Sequence, residues 1–467
     1  MDLERDITGE ISRFAETISY DALPGTVIDE TKRLILDSIG CAIGGVITEK
    51  GKIGIRFGES LSEMGDTTIL GHTKNAHPFS SAFANGELMN ALDYESLLAP
   101  PEHLTPYVMP ACIASAEMNN VPGKELILSI AIAHEITTRL SESLVFGNRF
   151  SVELPEKGIA LALPTPGYGI CLFGGIAGAG RVMDFSATEI ANAMGIGGFS
   201  CPTPMLAKFA TTVPVSMTKY LSSGLISQIE IMSLLLTTLG HTGDRGVLNS
   251  EYGFFRSFGC ETWMPQKVIE GLGKEWRFPA RIFYKTYPCC GAMQNVLGLF
   301  HQMITANDLY PEHIKEVIVV INPLGELPAW KNPDVSSHLD IQFNTAFLFS
   351  LLAHRVEIGP LWQSEEVLRS TRIGEFAKKV RMLTHLDKES EGKPDVTVVT
   401  SGEAGQKIYS ERGLSMATEM SQERLIDKFK RNAQGITGES KTRESIDVIL
   451  GLEEQEDISM LMKLLVP

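Results

Sequence analysis

No stretch of this 467-residue chain approaches the roughly 18 consecutive apolar residues of a membrane-spanning helix. The amino terminus, M-D-L-E-R-D-I, is charged at once and lacks the apolar centre of a secretory signal. Seven cysteines are scattered through the chain, an odd number with no disulfide framework and no zinc-ligand spacing. Ten histidines show no H-x-x-x-H pattern, so no metal site is expected. A basic stripe is also missing. The formal charge is −16, which argues against nucleic acid, because nothing offsets phosphate repulsion. These absences leave a cytoplasmic globular protein with reduced thiols. At this length, more than one domain is expected.

The first 270 residues read as helix after helix. Ile7, Ile11, Phe14 and Ile18 fall on one helical face. A helix beginning after Pro24 runs from charged to apolar and ends near Gly44 and Gly45. Small residues mark the segments 77–93 and 174–182, which suits close helix packing. Ser186 and Glu189 have the spacing of a capping box. Past Trp276 the texture changes: 314–320 and 394–400 are valine-rich runs of strand type, and 379–383 is a third candidate. Helices are predicted at 296–304, 341–352 and 364–378, and helix resumes after Gly405. The expected fold is mostly α, with a large helical-bundle domain at 1–269 and 406–467 and a smaller α/β lid domain at 270–405.

Four segments carry candidate chemistry. F-Y-K-T-Y-P-C-C-G-A-M, from Phe283 to Met293, sets Lys285 before a rigid turn containing Tyr287, Cys289 and Cys290. V-S-M-T-K-Y-L-S-S-G places Lys219 before another helix, with Lys208 eleven positions earlier. Two such cations in an acidic protein point to a small anionic substrate, against the plainer reading of surface lysines beside turns. In the third segment, Asp93 and His103 flank a loop containing Pro100 and Pro101. An acid there fixes the imidazole tautomer and strengthens it as a base. Alternatively, His103 merely caps the helix that follows it. The fourth, 164–180, is glycine-rich but has no preceding strand and no Gly-Lys-Ser/Thr ending. It is therefore predicted to be a substrate-facing loop presenting Tyr168 rather than a nucleotide site. Cys289 and Cys290 are expected to pack or to supply N–H donors, not to act as nucleophiles. His134, amid apolar residues, reads as a core histidine.

Together these motifs resemble the MmgE/PrpD family across nearly the whole chain. The resemblance rests on A-N-G-E-L-M-N-A-L-D-Y-E at 84–95, H-L-T-P-Y-V-M-P-A at 103–111, S-M-T-K at 216–219, E-Y-G-F-F at 251–255 and K-T-Y-P-C-C-G at 285–291. It implies a cofactor-independent lyase, a dehydratase or decarboxylase, acting on a small di- or tricarboxylate through a carbanion-like intermediate. It also implies a homodimer and a site between the two domains. Residues matching the family's active-site motifs are Asp93, His103, Lys219 and Lys285, with the two lysines expected to clamp the substrate anion. Four positions depart from the pattern. Thr165 and Gln294 stand where the family commonly has histidines, and Glu95-Ser96 replaces Asp-Asp. An iminodisuccinate epimerase is among the relatives, so proton removal and return is the alternative chemistry, with Tyr168 and Lys208 as candidates for a repurposed site. A non-catalytic carboxylate-binding protein is the third reading. Thr165, Lys208, Tyr287, Cys289 and Gln294 are the expected substrate contacts.

Overall fold

The computed structural model describes all residues except 1–5, 62–64, 99–102, 148–150, 164, 166, 394, 402–405 and 414–419. Pro100, Pro101, Pro164, Pro394 and Gly405, used above as sequence signals, lie outside the described residues.

The chain begins with helix Ile7–Thr17, capped by the Asp6 carboxylate on the Gly9 N–H, with Ile7, Ile11, Phe14 and Ala15 buried. The 21-residue helix Gly25–Gly45 has a polar first half and is buried from Leu34 onward, as its composition predicts. Pro78–Asn90, Thr105–Met118 and Gly123–Ser143 pack against it, and Cys171–Val182 and Ser223–Thr238 pack in turn against those helices. The capping box of Ser186 and Glu189 opens helix Ala187–Phe199. Close packing needs glycine at 178, where an added Cβ would lie 2.4 Å from the Ser129 carbonyl oxygen. Ser129 Oγ donates to the Gly178 carbonyl at 2.8 Å across the same contact. His134 is a core histidine: its Nδ1 meets the Ile130 carbonyl at 2.7 Å and its Nε2 meets Thr105 Oγ1 at 3.1 Å. No helix among the described residues is long and apolar enough to cross a membrane.

The smaller part is built on a four-stranded sheet ordered Val380–Thr384, Ile314–Ile321, Val396–Thr400, Ile408–Glu411. The first pair is parallel and the other two are antiparallel. The fourth strand corrects the expected return to helix after 405. It is a short, largely exposed edge strand and offers little hydrophobic signal. Helix resumes at Gln422–Ala433, which packs Phe429 against Gly40 of the long N-terminal helix. The helix predicted at 341–352 starts at Thr345, and the one predicted at 364–378 is broken in two. Asn344 caps Thr345–Ala353 and separates it from His338–Ile341. Ser364 caps Glu365–Leu368, and the next helix, Thr371–Ala377, starts after Ser370. A further correction concerns the glycine-rich loop. The antiparallel hairpin Ser151–Leu154/Ile159–Ala162 does precede it, although it is not the parallel unit that nucleotide binding requires.

One buried group costs stability. Glu230 sits in the helical core with both carboxylate oxygens lacking a hydrogen-bond partner among the described residues, and burial pushes its pKa well up. A raised native pKa contributes stability that is complete below the ordinary carboxylate range and is lost as pH rises through the native value. Glu230→Met is therefore expected to raise stability by about 1–3 kcal/mol. Its melting-temperature advantage should widen between about pH 5 and about pH 8. A destabilised variant at both pH values would contradict this reading.

Candidate active site

Asp93 follows the end of helix Pro78–Asn90 in a left-handed conformation, with φ 53°. That turn drives its carboxylate into the core, where it is fully buried. Two residues later Glu95 is also fully buried, and Asp37 holds the following Ser96 N–H at 2.8 Å. Leu97–Leu98 then pairs antiparallel with Ile282–Phe283, which ties the His103 loop to the segment carrying Lys285.

The side chains form one dense cluster. Lys285 Nζ donates to the Asp93 carbonyl at 2.8 Å and to its Oδ1 at 3.1 Å. Lys219 Nζ is 3.5 Å from the same Oδ1 and donates to Gln342 Oε1 at 2.8 Å. The Tyr220 hydroxyl donates to Asp93 Oδ2 at 3.2 Å. His103 Nδ1 meets Glu95 Oε1 at 2.7 Å, and that oxygen also accepts from Asn90 Nδ2 at 2.6 Å. His103 Nε2 is 3.7 Å from Asp93 Oδ1, beyond hydrogen-bond range. Asp93 thus stands at ion-pair distance from His103, as expected, but Glu95 makes the hydrogen bond that orients the imidazole, and Asp93 is held by the lysines.

The charges follow from these contacts. Burial alone would push the Asp93 carboxyl up, but Lys219, Lys285 and His103 together hold it well below the usual range. Glu95 shows the same contest and falls to about 2, chiefly through Lys285 and its bond to His103. An ionised Glu95 can only accept, so the bonded Nδ1 of His103 carries a proton. Burial pulls Lys219 down to about 8 despite Asp93. For Lys285, burial is outweighed by Asp93 and Glu95, and its pKa rises.

His103 also borders a cavity of about 300 Å³, together with Tyr168, Tyr220 and Cys290. The imidazole stacks on the Tyr220 ring at 4.4 Å and meets the Tyr168 ring edge-on at 5.9 Å. Its nitrogen is engaged by Glu95 and helix Thr105–Met118 has no side-chain cap, so the capping reading of His103 fails. The lysines do not match the expected clamp. Both ammonium groups are turned onto Asp93, their side chains have 0% exposure, and neither borders the cavity.

The expected substrate contacts lie elsewhere. Lys208 is exposed, although Leu206, Phe209 and Ala210 of its short helix border the cavity. The Thr165 hydroxyl donates to the Gly167 carbonyl within its own loop. Tyr287 meets His301 Nδ1 at 3.2 Å on a separate cavity. Gln294 laces the Pro-Cys-Cys turn: its Oε1 accepts from the Thr286 and Tyr287 N–H groups, and its Nε2 donates to the Tyr287 carbonyl at 2.8 Å. Burial pushes the Cys289 thiol well up, which leaves it inert, and Cys290 rather than Cys289 reaches the cavity. Ligand atoms of Asp93, Glu95 and His103 lie within 4.8 Å of one another, close enough to share a metal ion. Two ammonium groups already contact Asp93 there, so a cation entering the trio would meet direct repulsion.

The comparisons with known proteins agree with this architecture. Residues 9–264 match the MmgE/PrpD N-terminal domain, and 287–454 match the MmgE/PrpD C-terminal domain. The chain belongs to the MmgE/PrpD family. Among its relatives, the cis-aconitate decarboxylase of Aspergillus terreus is 24% identical over 496 residues, covering 98% of this chain and 96% of that protein. The cis-aconitate decarboxylase of Mus musculus is 23% identical, covering 99% of this chain and 93% of its own. The Homo sapiens protein of the same name is also 23% identical, with 99% and 95% covered. Membership and these relatives support a lyase acting on a carboxylate.

Proposed function

We propose that this MmgE/PrpD protein is a lyase, and specifically a decarboxylase, that breaks a bond next to a carboxylate through a carbanion-like intermediate with His103 as the proton carrier. The observation that carries the reading is the His103 imidazole, fixed by Glu95 at 2.7 Å and bordering the cavity. The carbon–carbon bond to the leaving carboxylate breaks, CO₂ departs and the electron pair stays on the substrate carbon. The Nε2–H of the protonated imidazole then delivers the proton to that carbon. The lysines keep Asp93 ionised beside the ring, giving a preorganised field rather than a direct grip on substrate. Side chains alone carry this chemistry, so dialysis against a chelator is expected to leave turnover unchanged. Loss of activity that added metal restores would contradict that.

A second reading rests on Tyr168, which borders the same cavity and offers a second proton-carrying group. Removal and return of a proton by the pair would make an epimerase. Incubating the protein in D₂O with a panel of carboxylates, followed by NMR, separates the readings. Loss of CO₂ or water supports the lyase, deuterium uptake without net change supports the epimerase, and an unchanged panel leaves a carboxylate-binding protein. The homodimer implied by the resemblance belongs to the proposal. Light scattering at micromolar concentration is expected to give the mass of two chains, and the mass of one would contradict it.

A further inference from the structure

We infer that Gln342 and Gln363 are positioning residues of the site: their side-chain amides form a relay that holds Lys219 on Asp93 and ties together the segments carrying Asp93, Lys219 and Lys285. The inference rests on the reading of His103 and its buried field given above, and it concerns two residues that do not border the cavity.

Both side chains are buried, at 0% and 4% exposure. Gln342 Oε1 accepts from Lys219 Nζ at 2.8 Å. Its Nε2 donates to the Ala91 carbonyl and to Gln363 Oε1, both at 2.8 Å. Gln363 Nε2 carries the chain on to the Leu92 carbonyl at 2.7 Å and the Pro288 carbonyl at 3.1 Å. The backbone carbonyl of Gln342 also accepts from the Cys290 N–H at 2.9 Å. These acceptors fix both amides, because turning either one over would set its oxygen against a carbonyl. The atom that faces Lys219 is thereby determined. The two glutamines lie in the part that matches the C-terminal family domain, whereas Ala91, Leu92 and Lys219 lie in the part that matches the N-terminal one. The relay therefore joins the two domains at the buried cluster.

A hydrogen bond donated by a buried ammonium favours its charged form. Asp93 and Glu95 also support the charge of Lys219, while Lys50 and Lys285 oppose it. The Tyr220 ring lies 5.0 Å away, and His338 is close enough to be affected by the ammonium. Burial is the largest influence and pulls Lys219 down to about 8. The acceptor supplied by Gln342 therefore bears on whether Asp93 keeps two cations or one near neutral pH.

Gln342→Met fills a similar volume without an acceptor, and Gln342→Glu sets an anion against the same ammonium. Nitrogen-15 lysine NMR of the full chain, with Lys219 assigned by Lys219→Met, follows the ammonium without relying on turnover. Its midpoint is expected to fall by about one pH unit or more in Gln342→Met and to rise in Gln342→Glu. With a carboxylate that is turned over, Gln342→Met and Gln363→Met should each lower kcat about 10- to 100-fold. KM should change less than about three-fold, since neither side chain reaches the cavity. The alkaline limb of kcat should move with the Lys219 midpoint. A merely structural pair would lower the melting temperature and leave midpoint and limb in place. Should Gln342→Met fail to fold, Gln342→Asn, one methylene short of Lys219, makes the same test. An unmoved Lys219 midpoint, or full kcat from a folded Gln342→Met protein, overturns the inference. Opposite shifts of the midpoint with no product from any carboxylate would sink the lyase and keep the relay, whereas turnover with an unmoved midpoint does the reverse.

Discussion

His103→Asn is expected to lower kcat by about 10²- to 10⁴-fold, the usual contribution of a positioned general acid or base, while the protein stays folded. The asparagine keeps a polar group beside Glu95, so the melting temperature should change little. The imidazole accepts no structural duty that would explain a large loss otherwise. It caps no helix, and among the described residues its hydrogen bond goes to a carboxylate that Asn90 also holds. Glu95→Gln should lose less, because the ring keeps its place against Tyr220 but no longer has its proton fixed on Nδ1. A His103→Asn protein with full turnover and a lowered melting temperature would move the proton transfer to Tyr168.

Lys285→Ala should be damaging twice over. Removing one partner from a buried ion cluster leaves Asp93 under-compensated, at about 3–5 kcal/mol of stability. Losing one preorganised charge should also cost kcat/KM about 10²-fold or more. The two effects separate by pH. Asp93 and Glu95 have native pKa values below their ordinary ones, so their contribution is complete above the ordinary carboxylate range and is lost as pH falls through the native values, about 2 for Glu95. Without Lys285 those native values rise, and acid unfolding should begin at higher pH than in the wild type. The double variant Lys285→Met, Asp93→Asn should recover part of the stability but not the activity. An unchanged kcat/KM in a folded Lys285→Ala protein would end the idea that this lysine supports catalysis.

Much of the helical part was legible because buried faces repeat at helical spacing, as in Ile7–Thr17, and because Ser186 and Glu189 form a local motif. The valine-rich strands were legible as short, largely buried β-branched runs. Ile408–Glu411 and the hairpin at 151–162 were not, since they are only four residues per strand and most of their side chains are half or fully exposed, although Val152 and Leu154 do alternate inward. At the site, the residue types were readable but their pairing was not. Both Asp93 and Glu95 stand near His103 in sequence, and the positive φ of Asp93 decides which of them faces the ring. Lys219 and Lys285 were found by motif. That they face Asp93 rather than the cavity depends on partners 126 and 192 positions away in sequence. Gln342, which holds Lys219, gives no sequence signal at all across 123 residues. Tyr220 could have been found, because it directly follows Lys219 in the same motif.

The central claim is that His103, with its Nδ1 proton held by Glu95, offers Nε2 to a carboxylate in the cavity. Nitrogen-15 NMR of the histidine-labelled protein, with His103 assigned by the His103→Asn variant, tests it most directly. The account predicts a protonated Nδ1 in the free protein and an Nε2 resonance that shifts as a carboxylate saturates the cavity. A proton-free Nδ1, or an Nε2 signal indifferent to a bound carboxylate, would contradict it.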